Sequence, residues 1–199
     1  MAIQIDIKKS FDTLHWNLVL QALNSFGFCK ELCNWISNIF NSTRISVLLN
    51  GSPAGFFSCS LGVWQGDLLS PLLFNIVEDF LSRYLSSLRV SSALQLLSTG
   101  RNFIAHFHLL YLDDITIFCK AFIRNVDTLR ATFDLYERMS GQSVSVQKSK
   151  IYFGKGVSYR LVSQIRSAWQ LSTVLSPWHI SVFPYSKARL GGCLVRILV

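Results

Sequence analysis

Between His108 and Cys119, apolar residues flank two adjacent carboxylates, Asp113 and Asp114. Two like charges in apolar surroundings lose hydration and repel each other unless a cation or protons compensate. Asp6 has a similar setting, because it interrupts the alternation of Ile3, Ile5 and Ile7. Three carboxylates converging from two strand ends would make a hard, oxygen-rich site suited to Mg²⁺. Two such ions about 3.5–4 Å apart form a clamp for in-line phosphoryl transfer. An Asp-Asp pair taken alone is more often an exposed turn, so its meaning depends on its company. Two further acids have simpler readings. Asp12 precedes a helical pattern and is expected as its N-cap; Asp67 is expected to cap or brace the helix that starts at Ser70.

These residues need elements to hold them. The alternation over 2–7 predicts a strand. Helices are predicted over 16–26, with Gly27 as its stop, and over 31–40, with Leu32, Trp35, Ile36, Ile39 and Phe40 as the buried stripe. Two β-rich runs around Asn50-Gly51 predict a hairpin. Ser70-Pro71 opens a long helix to about Leu88, since proline at the first helical position has no amide hydrogen to leave unpaired. Two strands joined by a tight turn at Asp113-Asp114 are expected over 108–119. A helix over 125–139, with Leu129, Phe133, Leu135 and Tyr136 as core contacts, and a strand over 143–153 follow. This order predicts an α+β fold, with helices on one face of a mainly antiparallel sheet.

The order of the motifs resembles the reverse transcriptase domain of LINE-type non-LTR retrotransposons, particularly the plant form, over roughly residues 2–157. The run from Asp6 through Phe11 and Asp12 to Trp16 is similar to the first palm motif, Asp-x-x-x-Ala-Phe-Asp. Gly62 to Phe74 resembles the Gln-Gly-Asp-Pro-Leu-Ser-Pro block. Tyr111 to Asp114 resembles the Tyr/Phe-Ala-Asp-Asp turn, and Ser140 to Ser149 the Ser-Gly-x-x-x-Asn-x-x-Lys-Ser element. The resemblance implies a polymerase palm with incomplete fingers and no proper thumb. It implies RNA-directed DNA synthesis from an RNA template, a DNA primer and dNTPs, with two Mg²⁺ ions. Asp6 and Asp113 would bind both metals and Asp114 would support them. Phe11 would lie under the incoming sugar and exclude a 2′-hydroxyl. Gln65 and Gly66 would touch template and nucleotide, and Lys148 would contact phosphate or protonate pyrophosphate. An intron maturase-like reverse transcriptase and a non-catalytic RNA-binding remnant are the rival readings.

The chain also departs from that pattern. Trp64 replaces a usual Arg, Leu68 a Pro, Ser145 an Asn, and Leu112 an Ala, where a larger side chain is expected to crowd the metal ligands. These departures imply a degenerate, inactive fragment. Residues 1–157 are read as palm and partial fingers, and 158–199 as an irregular basic tail. From about Trp178 the tail is expected to be frame-shifted, because a reading two nucleotides out of phase could spell the family's Tyr-Leu-Gly-Val-Pro-Leu-Phe-Lys-Gly.

Composition agrees with a packed domain. Of 199 residues half are apolar and 15% charged, which excludes compositional disorder. No apolar stretch is long enough to span a membrane. The formal net charge is +8, yet all 11 acidic residues precede position 138, so the basic excess is C-terminal. Five cysteines without a CxxC pair argue against a disulfide framework or zinc site and fit a reducing compartment. Cys29 and Cys33 are expected to pack, and His106 and His108 lack a third ligand.

Overall fold

The computed structural model describes residues 1–97 and 106–175, together with the backbone of two short strands at 187–190 and 193–196. In chain order the elements are β1 (Ala2–Asp6), α1 (Trp16–Ser25), α2 (Lys30–Ser42), β2 (Arg44–Leu49), β3 (Ser52–Ser58) and α3 (Ser70–Val90). They continue with β4 (His108–Tyr111), β5 (Asp114–Phe118), α4 (Ile123–Ser140), β6 (Lys150–Phe153), α5 (Tyr159–Trp169), β7 (Ser172–Leu175), β8 (Lys187–Leu190) and β9 (Cys193–Arg196). The chain forms two compact units. The first comprises 1–6, 85–131 and 145–199, and the second 7–84 and 132–144.

The first unit is built on a sheet of order β4-β5-β1-β6-β7. All its pairs are antiparallel except β6 with β7. Register sorts the side chains by chemistry. Ile3 lies opposite Ile117 and Ile151, and Ile5 opposite Ile115, so one face is a fully buried isoleucine cluster. Val126 and Leu129 of α4 and Val162, Ile165 and Trp169 of α5 complete the buried set. Each such side chain contributes about 1.5–3 kcal/mol on burial. The alternate positions, Gln4, Asp6, Asp114, Thr116, Lys150 and Tyr152, share the opposite face, where the Tyr152 hydroxyl donates to Gln4 Oε1 at 3.2 Å.

The second unit buries Leu18, Val19, Ala22 and Leu23 of α1, Cys33, Ile36 and Phe40 of α2, and Phe133 and Tyr136 of α4. The Trp16 and Phe40 rings stack 5.0 Å apart. The expected α2 stripe is too broad: Trp35 is 65% exposed and Ile39 is exposed too, Leu32 is half-buried, and only Cys33, Ile36 and Phe40 stay inside. Leu135 is exposed as well, whereas Leu129, Phe133 and Tyr136 are buried as expected. The predicted hairpin forms as β2 and β3, with positive φ at both Asn50 and Gly51.

Three local expectations are corrected. His15, not Asp12, is the N-cap of α1, and no side chain caps that helix; the Asp12 amide instead closes a turn on the Lys9 carbonyl. The strand expected over 143–153 is confined to 150–153, because the Ser149 amide turns back to the Ser145 carbonyl. Residues 159–175, expected to be irregular, form α5 and β7. Ser158 caps α5 by accepting from the Leu161 amide, and β7 pairs with β6 from Lys150↔Ser172 onward. The frame-shift expectation from Trp178 falls largely outside the described residues.

A buried lock fixes the loop after β1. His15 donates its amide to the Ser140 carbonyl, and Gln142 donates Nε2 to the Ser10 carbonyl. The Tyr136 hydroxyl donates to Gln142 Oε1, and burial pushes that hydroxyl far above its ordinary pKa. Between them, Gly141 has φ +76, and a Cβ there would collide with the Thr13 carbonyl and the His15 ring. Gly141→Ala is therefore expected to cost more than the roughly 1–2 kcal/mol of a left-handed L-residue alone. Gly27→Ala, also at positive φ but in open space, should cost no more than that conformational term. Urea unfolding of both variants checks the difference.

Candidate active site

The site is assembled on the polar face of the first unit. Asp6, the last residue of β1, lies directly opposite Asp114, the first of β5. Facing residues of an antiparallel pair project to the same side, so the two carboxylates share that face. Tyr111 pairs with Asp114, which leaves Leu112 and Asp113 as the two-residue turn. The turn was expected at Asp113-Asp114. The one-residue difference moves Asp114 into the ladder and brings it against Asp6.

Charge crowding follows. Burial first, and then the carboxylates of Asp113 and Asp6, push the Asp114 carboxyl above its ordinary 3.8, while Lys148 partly offsets them. Asp6 is the more enclosed acid, with a side chain 15% exposed and Lys148 Nζ 3.6 Å from Oδ2. Its Oδ1 is buried and accepts no hydrogen bond among the described residues. A buried acceptor without a partner costs about 1–3 kcal/mol, and more when charged. That orphaned oxygen, beside two further carboxylates, fits a hard cation. Among the described residues, however, no three acidic, His or Cys side chains are already gathered around one metal-sized point.

The crowding expected of Leu112 is absent, since its side chain is exposed. Its cost is in the backbone: φ is +54, a left-handed conformation worth about 1–2 kcal/mol against a leucine.

Phe11, Gln65 and Gly66 belong to the second unit. Phe11 stacks on Phe74, with centroids 4.6 Å apart. Its carbonyl accepts the Val63 amide, while the Leu14 carbonyl accepts that of Gly62. A Cβ at Gly62 would lie 2.6 Å from the Asp12 carbonyl, so only glycine allows this approach. Trp16 Nε1 donates to the Gly62 carbonyl at 2.7 Å. Gln65 and Gly66 are exposed, Gly66 with φ +96. Asp67 braces α3 as expected, accepting from Ser70 Oγ at 3.2 Å. Both border a shallow cleft with Trp16, Phe40, Thr43 and Trp64.

Sequence reasoning passed over the serines that hold Asp6. The Asp6 amide donates to Ser149 Oγ at 3.0 Å, and the Asp6 carbonyl accepts the Ser145 amide at 2.8 Å. Both serines are buried. The signal was present in the element at 140–149, where two serines bracket the turn bearing Lys148.

The profile of the reverse transcriptase (RNA-dependent DNA polymerase) family matches residues 1–174, and the chain belongs to that family. Its similarities lie among retroelement members. It is 26% identical over 169 residues to a retrovirus-related Pol polyprotein from type-1 retrotransposable element R2 of Popillia japonica, covering 85% of this chain and 27% of the relative. It is 35% identical over 83 residues to the Pol polyprotein of type-2 element R2DM of Drosophila melanogaster, covering 42% and 8%. A putative COX1/OXI3 intron 2 protein of Saccharomyces cerevisiae is 28% identical over 85 residues, covering 43% and 9%. The chain thus spans about a quarter, or less, of the length of these relatives. The fold is that of an apo telomerase from Candida Tropicalis, with a TM-score of 0.59 at 15% identity, over 79% of this chain and 31% of that one. The expected palm-like α+β fold is thereby met. The family generally uses a divalent metal and acts on nucleic acid. Among the described residues, no helix is long and apolar enough to cross a membrane.

Two stability measurements test this geometry. Ser149→Ala strands the Asp6 amide and should cost about 1–3 kcal/mol in urea unfolding. Asp114→Asn should raise Tm near neutral pH. The folded-state pKa of Asp114 is raised, so its charged form opposes folding above that pKa. The gain should fade as pH falls and vanish well below 3.8, where both folded and unfolded chains are protonated. A constant gain from acid to neutral pH would contradict this account.

Proposed function

We propose that this domain is an RNA-directed DNA polymerase, of the LINE type and the plant form, using RNA template, DNA primer and dNTPs. The observation that carries the reading is the register that sets Asp6 against Asp114, with Asp113 in the adjoining turn. The motif spellings at 6–16, 62–74, 111–114 and 140–149 support the narrower family and its plant form.

Asp6 and Asp113, with Asp114 in support, would hold two Mg²⁺ ions. Bound there, the ions supply Lewis acidity toward a primer 3′-hydroxyl and compensate charge on the phosphates. The chain's own part is to hold the three acids on a rigid sheet and its adjoining turn. Ser145 and Ser149 fix the backbone of Asp6, and the isoleucine face fixes β1 against β5. Phe11, held by Phe74, presents a flat ring for the sugar, Gln65 and Gly66 offer side chain and backbone to template and nucleotide, and Lys148 offers an ammonium to phosphate. The domain organisation follows from the same reading: palm and partial fingers over 1–157, extended by α5 and β7 of the same unit, then a basic tail, frame-shifted from about 178. Processive synthesis by the 199-residue chain alone is not expected, since relatives carry the domain within proteins about four times as long. The yeast intron protein keeps a maturase-like reverse transcriptase as the second reading.

Primer extension on an RNA template with a DNA primer tests the proposal. As a degenerate fragment, the chain is expected to give no processive extension, and any short Mg²⁺-dependent extension should fall to background in Asp113→Asn. Phe11→Val should raise incorporation of ribonucleotides relative to deoxyribonucleotides. Salt-sensitive RNA binding unaffected by Asp113→Asn, with no extension by any form, would replace the polymerase with an RNA-binding remnant.

A further inference from the structure

The turn that carries Lys148 is fastened to Asp6 at both of that residue's backbone groups. Ser145 donates its amide to the Asp6 carbonyl, and Ser149 accepts the Asp6 amide on Oγ. The Ser149 amide closes the turn on the Ser145 carbonyl at 2.8 Å, and Ser172 Oγ donates to the Ser149 carbonyl at 2.9 Å. Ser149 is completely buried. The stem of Lys148 therefore starts from a position that is fixed relative to Asp6, although 71% of its side chain is exposed.

That anchoring matters because a free lysine rarely gains much from one exposed partner. Holding its side chain in one geometry costs rotamer entropy that offsets the screened attraction. Here the partner carboxylate is enclosed, and its second oxygen has no hydrogen bond among the described residues. A single ammonium thus faces the enclosed carboxylate of Asp6.

We infer that Lys148 is a positioning residue that stands in for a cation at Asp6 when no metal is bound, and that a divalent ion must displace it to bind. The inference rests on the proposed role of Asp6 as a metal ligand. An ammonium 3.6 Å from Oδ2 lies where a divalent ion on that carboxylate would feel its full repulsion. Lys148 should therefore stabilise the metal-free domain and weaken its affinity for metal. Ser145 and Ser149 set the strength of both effects, because they determine where the lysine stem begins.

Mn²⁺ binding to the full chain, followed by the electron paramagnetic resonance of the free ion, tests this directly. Tm is measured without metal and at saturation. Lys148→Gln is expected to bind Mn²⁺ roughly 3–10-fold more tightly than the unaltered chain. It should melt lower without metal and show a larger metal-induced rise. Lys148→Arg, which keeps the charge, should stay near the unaltered values, and Asp6→Asn should lose the binding in either background. If Asp6→Asn abolishes binding but Lys148→Gln leaves affinity unchanged or weaker, the lysine inference is overturned while the metal reading stands. If no Mn²⁺ binding depends on Asp6 in any variant, both are overturned.

Discussion

Asp6 and Asp114 face each other across neighbouring strands, and two like charges in register work against the sheet that presents them. Everything around them limits that opposition. On the reverse face, Ile3, Ile5, Ile115, Ile117 and Ile151 are buried completely or nearly so. Each contributes about 1.5–3 kcal/mol, against about 0.2–1 kcal/mol for a facing pair of side chains. The apolar face wins by a wide margin, so the acids can be held opposite each other at little risk to the fold. Residual strain is local: an orphaned oxygen on Asp6, a raised pKa on Asp114 and a left-handed leucine in the turn. Such a deficit favours any cation that relieves it, since a ligand of that kind would bind partly at the expense of that strain.

The second unit solves a different problem, which is to hold an irregular loop firmly. Residues 8–15 have no sheet ladder of their own. Their backbone groups go instead to the 140–144 segment and to Gly62 and Val63. Gly62 and Gly141 each allow an approach that a Cβ would block. Phe11 therefore sits on a loop with little freedom, its ring stacked on Phe74. The glycines and serines of the sequence motifs thus have packing duties alongside any chemical ones.

Much of this was legible from side-chain periodicity. The alternation of Ile3, Ile5 and Ile7, the Asn50-Gly51 signal and the Ser70-Pro71 start each identified an element that the structure contains. The motif order identified the family. Tertiary context decided the rest. Trp35 matches the helical stripe of α2 yet is exposed, because a period shows which residues share a side but not how wide the covering surface is. Lys148 was placed on a strand because alternation continues from 143, but buried serines that bond the Asp6 backbone outcompete the ladder there. The turn at 112–113 was misplaced by one residue. Nothing local to Asp113-Asp114 distinguishes the two registers, and the choice is made by partners in β1 more than 100 positions away. The adjacency of Asp6 and Asp114 followed from that choice.

The central position of β1 has a consequence for how the chain is made. Residues 2–6 leave the ribosome well before their partners at 114–118 and 150–153. At a synthesis rate of about 5–20 residues per second, the strand waits on the order of ten seconds for its second neighbour. Through that interval Ile3 and Ile5 have neither ladder nor core, and contacts so distant in sequence close slowly even when both partners are present. The segment that carries Asp6 is thus the one most available for wrong pairing in the nascent chain, and the sheet is completed only after β7 has emerged.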